Sequence, residues 1–372
     1  MDVELNRDQM AEQISVALGD RSYPIHLANR ATGQFAAVLT DALADLTHLV
    51  MIVDEAVIGY ARQLNEALAA SGSFRLDLLE VPSGEPTKSI SEFERLLMEL
   101  LALQADRRSV IVAVGGGVVG DLAGYVAASF ARGIRFVQVP TTLLAMVDSS
   151  VGGKTGINLP GGKNMVGAFW QPQLVWIDPH AMQTLDDRSY RSGLAEVVKY
   201  GVINDEAFFH WLTDRASSLV QRNPDALVYA IRRSCESKAR VVGEDERETS
   251  GRRAILNYGH TFAHAIEATA GYGKLLHGEA VAIGMQMAAS LAIKQGLCSE
   301  SLLESQTSVL EACGLPVRYP EADADAMLPV MMRDKKVQHG KLRFILPRSI
   351  GHVELVDNVP ESQVRSAIED HR

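Results

Sequence analysis

Four residues in the second half of the chain are of types that hold a divalent metal. His260 and His264 stand four apart in LNYGHTFAHAIE, on one face of a helix; His277 opens HGEAVAIGM, and Glu196 lies in LAEVVKYG. Two histidines and a carboxylate leave coordination positions open, the pattern of a catalytic rather than a structural zinc site. Helical spacing offers His260 and His264 as the chelating pair, but it does not select which three of the four bind. A lone helical histidine is more often structural or exposed, so it is the grouping that argues for a metal. Cations recur beside these segments: Lys199 one turn after Glu196, Lys238 in SKARVV, and Arg252-Arg253 just before the histidine helix. That recurrence suits a polyanionic substrate.

A second chemical cluster is DSSVGGKTGINLPGGKN (148–164), with Lys154 and Lys163 each preceded by Gly-Gly. GGKT resembles the end of a phosphate-binding P-loop, but the GxxxxGK[ST] spacing is absent, so a P-loop is rejected. What remains is a mobile loop presenting two ammonium groups and Asn164 to a phosphate. A plain solvated loop has little need for glycines at such density, which allow close backbone approach.

A third is VIVAVGGGVVGDLAGYVAASFA, where Gly115, Gly117 and Gly120 satisfy GxGxxG between a buried strand and a helix. Glycines let a pyrophosphate reach the backbone, and the helix start offers free N–H groups. Alone the match is weak, because such turns are often merely tight. The ribose-binding acid expected about 20 residues on is missing. Asp54-Glu55, after the strand LVMIV, supplies a carboxylate at the same sheet edge instead. Thr141-Thr142 end the next strand, and PSGEPTKS (82–89) is another polar turn, with Glu85 and Lys88 placed for an adenosine or phosphate.

These groups need elements to position them. Residues 14–27 alternate around Gly19-Asp20 and predict a β-hairpin; residues 1–13 are expected to be a loose leader. The continuous apolar runs at 49–53, 109–114, 136–140 and 174–177 have strand length and suit a sheet covered on both faces. Between them 91–104 is helical, with Ser91 and Glu94 at capping-box spacing. This alternation predicts an α/β N-terminal domain with a Rossmann-like parallel sheet over 14–185. After TLDDRSYRSG, the segments to the C-terminus follow one another at helical period, which predicts an all-α C-terminal domain over 186–372, with the active site in the cleft between the two. KLRFILP (341–347) is a candidate short strand.

Bulk composition narrows the function classes. At 372 residues the chain favours two domains, and a net charge of -10 disfavours non-specific nucleic-acid or membrane binding. Three widely spaced cysteines without a CxxC pair exclude a disulfide framework and a zinc knuckle. MDVELNRDQM lacks the basic and apolar regions of a signal peptide, so a cytoplasmic enzyme is expected.

Taken in order, SGEPTK, GGGVVGD, RFVQVPTTLLAMVDSSVGGKTGINLPGGKNMVGAF, RSGLAEVVKYG, LNYGHTFAHAIE, HGEAVAIGM and DKK resemble the 3-dehydroquinate synthases, sugar phosphate cyclases of the shikimate pathway. The likeness runs from about residue 14 to 360, and the ordered set is far more specific than any member. It implies NAD bound through Asp54, Ser83, Gly84, Glu85, Lys88, Gly115, Gly116, Gly117, Val118, Val119, Gly120, Asp121, Thr141, Thr142, Lys154 and Lys163. It implies Glu196, His260 and His277 as ligands of Zn²⁺ or Co²⁺, which assigns His264 to the substrate instead. Asp148, Lys154, Lys163, Asn164, Lys199, Lys238, Arg253, Asn257, His264 and one of Lys335 or Lys336 match substrate-binding positions. Arg132 is similar to an arginine that reaches the neighbouring subunit's site in the family's homodimer.

The implied substrate is 3-deoxy-D-arabino-heptulosonate 7-phosphate. Its C5 hydroxyl is transiently oxidised by NAD, which acidifies the C6 proton; phosphate leaves, the hydride returns, the ring opens and an intramolecular aldol closes the carbocycle. The substrate phosphate can itself take the C6 proton, so no residue is assigned as sole base. Two other readings use similar parts. A sister cyclase making a cyclitol would keep metal and NAD but alter the carboxylate pocket, against which Arg253, Lys238 and Asn257 argue. A metal-dependent polyol dehydrogenase would need no two-lysine phosphate loop.

Overall fold

The computed structural model describes residues 11–29, 31–72, 74–271, 273–333 and 342–372. The chain divides into two compact units, Met1–Leu185 and Asp186–Arg372.

In the first unit, strands β1 (Glu12–Val16), β2 (Tyr23–Leu27), β3 (His48–Asp54), β4 (Arg75–Val81), β5 (Val110–Gly115) and β6 (Arg135–Pro140) join a later strand, β9 (Val175–Ile177). They form one sheet in the order β1-β2-β9-β6-β5-β3-β4, parallel except for the β1–β2 pair. The predicted hairpin is this pair, with Ile14 opposite Ile25; it starts at Glu12, inside the span expected to be loose. Helices α1 (Thr32–Ala42), α2 (Ile58–Ser71), α3 (Ile90–Ala102) and α4 (Gly117–Ser129) connect the strands. Two-residue periodicity explains why the strands are apolar throughout. Leu49, Met51, Val53, Val110, Val112 and Val114 enter one core with Phe35 and Leu64, while Val50, Ile52, Ile111 and Ala113 enter another with Leu96 and Leu122.

Two local expectations change. Helix α3 is capped by Ser89, whose hydroxyl accepts from the Glu92 N–H at 3.2 Å, and not by Ser91. The stretch expected to be a mobile loop is largely an antiparallel hairpin, β7 (Lys154–Leu159) with β8 (Gly162–Phe169). Its glycines look like loop formers in sequence, but Gly156 and Gly167 sit face to face across the ladder, where a Cβ on Gly167 would lie 2.0 Å from the Thr155 carbonyl. A wide π turn over Ala145–Ser149 precedes it and carries Asp148.

The second unit holds α5 (Asp187–Asn204), α6 (Glu206–Val220), α7 (Pro224–Glu244), α8 (His260–Ala270), α9 (His277–Lys294), α10 (Glu300–Ala312), α11 (Ala324–Arg333) and α12 (Glu361–Glu369). One departure from an all-α unit is the hairpin β10 (Arg343–Ser349) with β11 (His352–Asp357), of which the sequence hinted only at the first strand. The boundary stretch TLDDRSYRSG is helical from Asp187 onward: Asp186 caps α5 by accepting from the Ser189 N–H at 2.9 Å. The apolar run in α9 is the unit's central helix, buried continuously from Ala280 to Ala292. No described helix is long and apolar enough to cross a membrane.

Candidate active site

Within the first unit, the chain leaves β3 for β4 on one side and leaves β5 for β6 on the other. Between the carboxyl ends of β3 and β5 the connections diverge, and such a switch point is where open α/β sheets bind ligands. Asp54 ends β3 and Gly115 ends β5; a Cβ on Gly115 would lie 3.2 Å from the Asp54 Cβ, so the turn closes against this carboxylate only without a side chain. Gly120 lies where a Cβ would approach the Gln138 amide to 2.6 Å, which seats α4 tightly on β6. Gly116 caps α4 without any side-chain hydrogen bond, leaving the helix start to bind an anion. Val118 and Asp121 lie half-buried in the first turns of α4, with Val119 buried between them.

The polar turns predicted from sequence gather at this edge. Ser83 donates its hydroxyl to Asp54, and its N–H donates to Glu55 Oε1 at 3.1 Å. The Thr141 N–H donates to the Gly115 carbonyl at 2.9 Å, and the Thr142 hydroxyl accepts from the Ala145 N–H at 3.1 Å. Gly84 has a φ of +98° and exposed Glu85 follows it. Lys88 is buried against its neighbours. It is 5 % exposed and bridges Asp121, at 2.5 Å, and the Asn164 side chain. Lys154 opens β7 exposed, Lys163 lies half-buried in β8, and Asn164 beside it holds a φ of +55°. Arg132 is exposed in the turn after α4 at a φ of +70°.

In the second unit, ligand atoms of Glu196, His260 and His277 lie within 4.8 Å of one another. His264, one helical turn from His260, is exposed and outside this group, its ring 5.7 Å from that of His260. Helical spacing therefore misdirects. What brings His277 in is packing of α9 on α8, where Gly284 sits with its missing Cβ only 2.2 Å from the Gly259 carbonyl. Gly259 itself, at a φ of +80°, turns the chain into His260.

The donor set fits a divalent cation. His260 Nδ1 faces the Tyr258 carbonyl at 3.1 Å, which directs Nε2 at Glu196 Oε1, 3.5 Å away. His277 Nε2 approaches the same oxygen at 3.7 Å, with Nδ1 backed by Glu267 Oε1 at 3.6 Å. Donors sharing one small divalent ion at bond lengths near 2.0 Å stand about 3.3 Å apart, and these separations would suit such an ion. Outer partners on Nδ1 fix the tautomer that leaves Nε2 for a metal. Burial opposes charge on His277, but the neighbouring carboxylates of Glu196 and Glu267 outweigh it and raise its pKa to about 10. The cluster thus concentrates negative charge, as a cation site requires. Glu267 was not singled out in the sequence, although it lies seven residues after His260, on the same helical stripe.

Fully buried Glu196 forms an ion pair with Lys199, which is 1 % exposed; elsewhere in the second unit Lys238 and Arg253 are 5 % and 2 % exposed. Arg253 is held by a loop that the sequence did not reveal. Asp245 accepts from the N–H groups of Thr249 at 2.8 Å, Ser250 at 3.2 Å and Arg253 at 3.1 Å, while Arg253 donates to the Glu246 carbonyl at 2.5 Å. Burial raises the Asp245 pKa, but these backbone bonds prevail and lower it to about 2. Asn257 ends the same loop half-buried. Asp148 is also half-buried. Lys335 and Lys336 lie outside the described residues.

Residues 78–192 match the 3-dehydroquinate synthase N-terminal family and residues 193–337 the 3-dehydroquinate synthase C-terminal family. The chain is 62% identical over 362 residues to a 3-dehydroquinate synthase of Rhodopirellula baltica, with 96% of each covered. Its fold is similar to 2-deoxy-scyllo-inosose synthase complexed with carbaglucose-6-phosphate, NAD+ and Co2+ (TM-score 0.87, 28% identity, 97% of this chain and 100% of the other). It is equally close to the 2-epi-5-epi-valiolone synthase ValA of Streptomyces hygroscopicus subsp. jinggangensis with NAD+ and Zn2+ bound (TM-score 0.87, 31% identity, 95% and 98% covered). The matched families span most of the chain and the identity to the Rhodopirellula protein is twice that to either sister cyclase, so this chain belongs to the 3-dehydroquinate synthase family.

Proposed function

We propose that this protein converts 3-deoxy-D-arabino-heptulosonate 7-phosphate to 3-dehydroquinate and phosphate. The 62% identity over nearly the whole chain supports the reaction, and the buried cations Lys238 and Arg253 of the second unit support the choice of a sugar acid. Arg253 offers a planar guanidinium that a carboxylate can engage in bidentate fashion, an interaction a cyclitol precursor without a carboxylate would leave unmade.

The first unit, through Asp54, the 83–88 turn, the Gly115–Asp121 turn and Thr141-Thr142, binds NAD; the second, through Glu196, His260 and His277, holds zinc or cobalt, both suited to two imidazoles and a carboxylate. When bound, NAD would take up a hydride and return it, and a metal held by Glu196, His260 and His277 would polarise the oxygen being oxidised and reduced. The chain's own residues bind and orient. Lys154, Lys163 and Asn164 neutralise and direct the phosphate that leaves; Asp148, Lys199, Asn257, exposed His264 and one of Lys335 or Lys336 contact the sugar. Arg132, presented by left-handed backbone, reaches the site of a second copy in a homodimer. The enzyme works in the cytoplasm.

The test is to incubate the purified protein with the heptulosonate phosphate, catalytic NAD and Zn²⁺, following phosphate release and dehydroquinate. Turnover of this substrate is expected. Turnover of a sugar phosphate lacking the carboxylate, with none of the heptulosonate, would overturn the substrate assignment in favour of a sister cyclase.

A further inference from the structure

Asn158, which no motif singles out, stands at the centre of a ring of hydrogen bonds in the first unit. Its N–H donates to the Lys88 carbonyl at 2.8 Å, its side-chain Nδ2 donates to Glu85 Oε1 at 2.7 Å, and its Oδ1 accepts from the Asn164 N–H at 2.8 Å. The ring closes because Lys88 Nζ donates to the Asn164 side chain, and from there it reaches Asp121 in α4. The β7–β8 register shifts by two residues between Ile157 and Leu159, which takes Asn158 out of the ladder and lets it make these bonds. Asn164 is held opposite it in left-handed backbone, a conformation that a non-glycine residue keeps where its surroundings impose it.

We infer that Asn158 is a positioning residue that couples the dinucleotide-binding turn Glu85–Lys88 to the phosphate-binding tip Lys163-Asn164, so that NAD and phosphate bind cooperatively. One side chain spans both segments. Ordering either of them by its ligand therefore fixes the hydrogen-bonding partner of the other, and the second ligand meets a site already ordered. Such coupling is reciprocal, and the same factor must appear whichever ligand is added first. Asn158 touches neither ligand in this account; it acts through Glu85 and Asn164. The inference rests on the proposed assignment of the two segments to NAD and phosphate.

The experiment measures NAD affinity by calorimetry with and without inorganic phosphate, on the full chain. In the unaltered protein phosphate should tighten NAD binding by roughly fivefold or more, within the usual range of coupling factors. Asn158→Asp keeps the acceptor for the Asn164 N–H but loses the donor to Glu85 and sets two carboxylates together. It should bind NAD about tenfold more weakly, with the coupling factor falling toward one and an unchanged circular dichroism spectrum. Glu85→Gln placed on Asn158→Asp reverses donor and acceptor and should restore coupling relative to Asn158→Asp alone. A merely structural role would not predict that recovery. Undiminished coupling in a folded Asn158→Asp protein, coupling absent from the unaltered protein, or failure of the reversed pair to recover it would each overturn the inference. Complete failure of the unaltered protein to bind NAD would instead strike the dinucleotide assignment itself, and this inference with it.

Discussion

At the scale of single residues, the two histidines one turn apart on α8 should fail differently when removed. His260 points Nε2 at Glu196 and is 9 % exposed, whereas His264 is exposed and outside the cluster. His260→Ala should therefore emerge from gel filtration without metal, while His264→Ala should keep close to one equivalent and lose turnover. Equal metal loss in both would restore the helix-spaced pair as ligands. Lys154 poses a question of charge rather than coordination. It is exposed at the start of β7, next to glycines whose positive φ angles bring the backbone around it. A preorganised cation facing the charge that develops as phosphate departs is worth about 100-fold in rate. Lys154→Ala should lose at least that much in kcat/KM for the heptulosonate phosphate, and a loss of only a few-fold would exclude it from the phosphate site.

At the scale of elements, the metal cluster depends on how α9 is seated against α5, because Glu196 belongs to one helix and His277 to the first residue of the other. The first turns are clamped. Arg188 donates to both oxygens of Glu279 at 2.7 and 2.8 Å and to the Lys274 carbonyl at 2.9 Å, while Glu279 accepts from the Leu276 N–H at 2.8 Å. Beside them the Gly278 N–H donates to the Ser192 hydroxyl at 3.0 Å, at a spot where a Cβ would lie 1.8 Å from the Ser192 carbonyl. Most exposed ion pairs contribute little, but a bidentate one that also fixes a loop is the exception. Arg188→Ala should weaken metal affinity by roughly tenfold, the lower range for loss of an outer partner, as read by competition with a chelator; unchanged affinity would show that the clamp does not set the ligand geometry. None of these contacts could be seen in the sequence, because Arg188 and Glu279 lie 91 positions apart and neither residue type nor local period announces the partner. Periodicity did reveal the strands, since residues 49–53 alternate between two cores and must be apolar throughout. It also placed Asp54 and Gly115 at strand ends. The β7–β8 hairpin escaped because its glycines, needed for close pairing, have the composition of a loop. Helical spacing alone could not choose His277 over His264, because their distance from Glu196 depends on the approach of α8 and α9 through Gly259 and Gly284; only the ordered family motifs offered that choice.

At the scale of the whole molecule, each unit holds a histidine whose pKa the fold lowers, and this bears on how the fold responds to acid. In the first unit burial lowers the pKa of His26, whose ring lies 6.3 Å from that of Trp176. In the second, burial and the Arg318 cation lower that of His371 to about 4, with Asp370 only partly opposing them. His371 is 8 % exposed, and its backbone is engaged with Tyr319 and Ile368, so it cannot turn out to water without loosening the C-terminal segment. An unfolded chain takes up this proton near the ordinary value of 6.5, and the folded one resists until about 4. Stability should thus be complete above pH 6.5 and erode as the pH falls toward 4, by up to about 3 kcal/mol from this group alone. His371→Gln removes the titration and keeps a polar side chain of similar reach. Urea midpoints measured on chelator-treated protein, so that metal release adds no slope of its own, should fall less steeply between pH 6.5 and 4 for the variant than for the parent, with the two parallel above pH 7. Parallel profiles over the acid range would mean that His371 becomes protonated without resistance from the fold. Asp245, held low by the backbone around Arg253, adds its own loss only below the ordinary carboxylate range, so the histidine window stands clear of it.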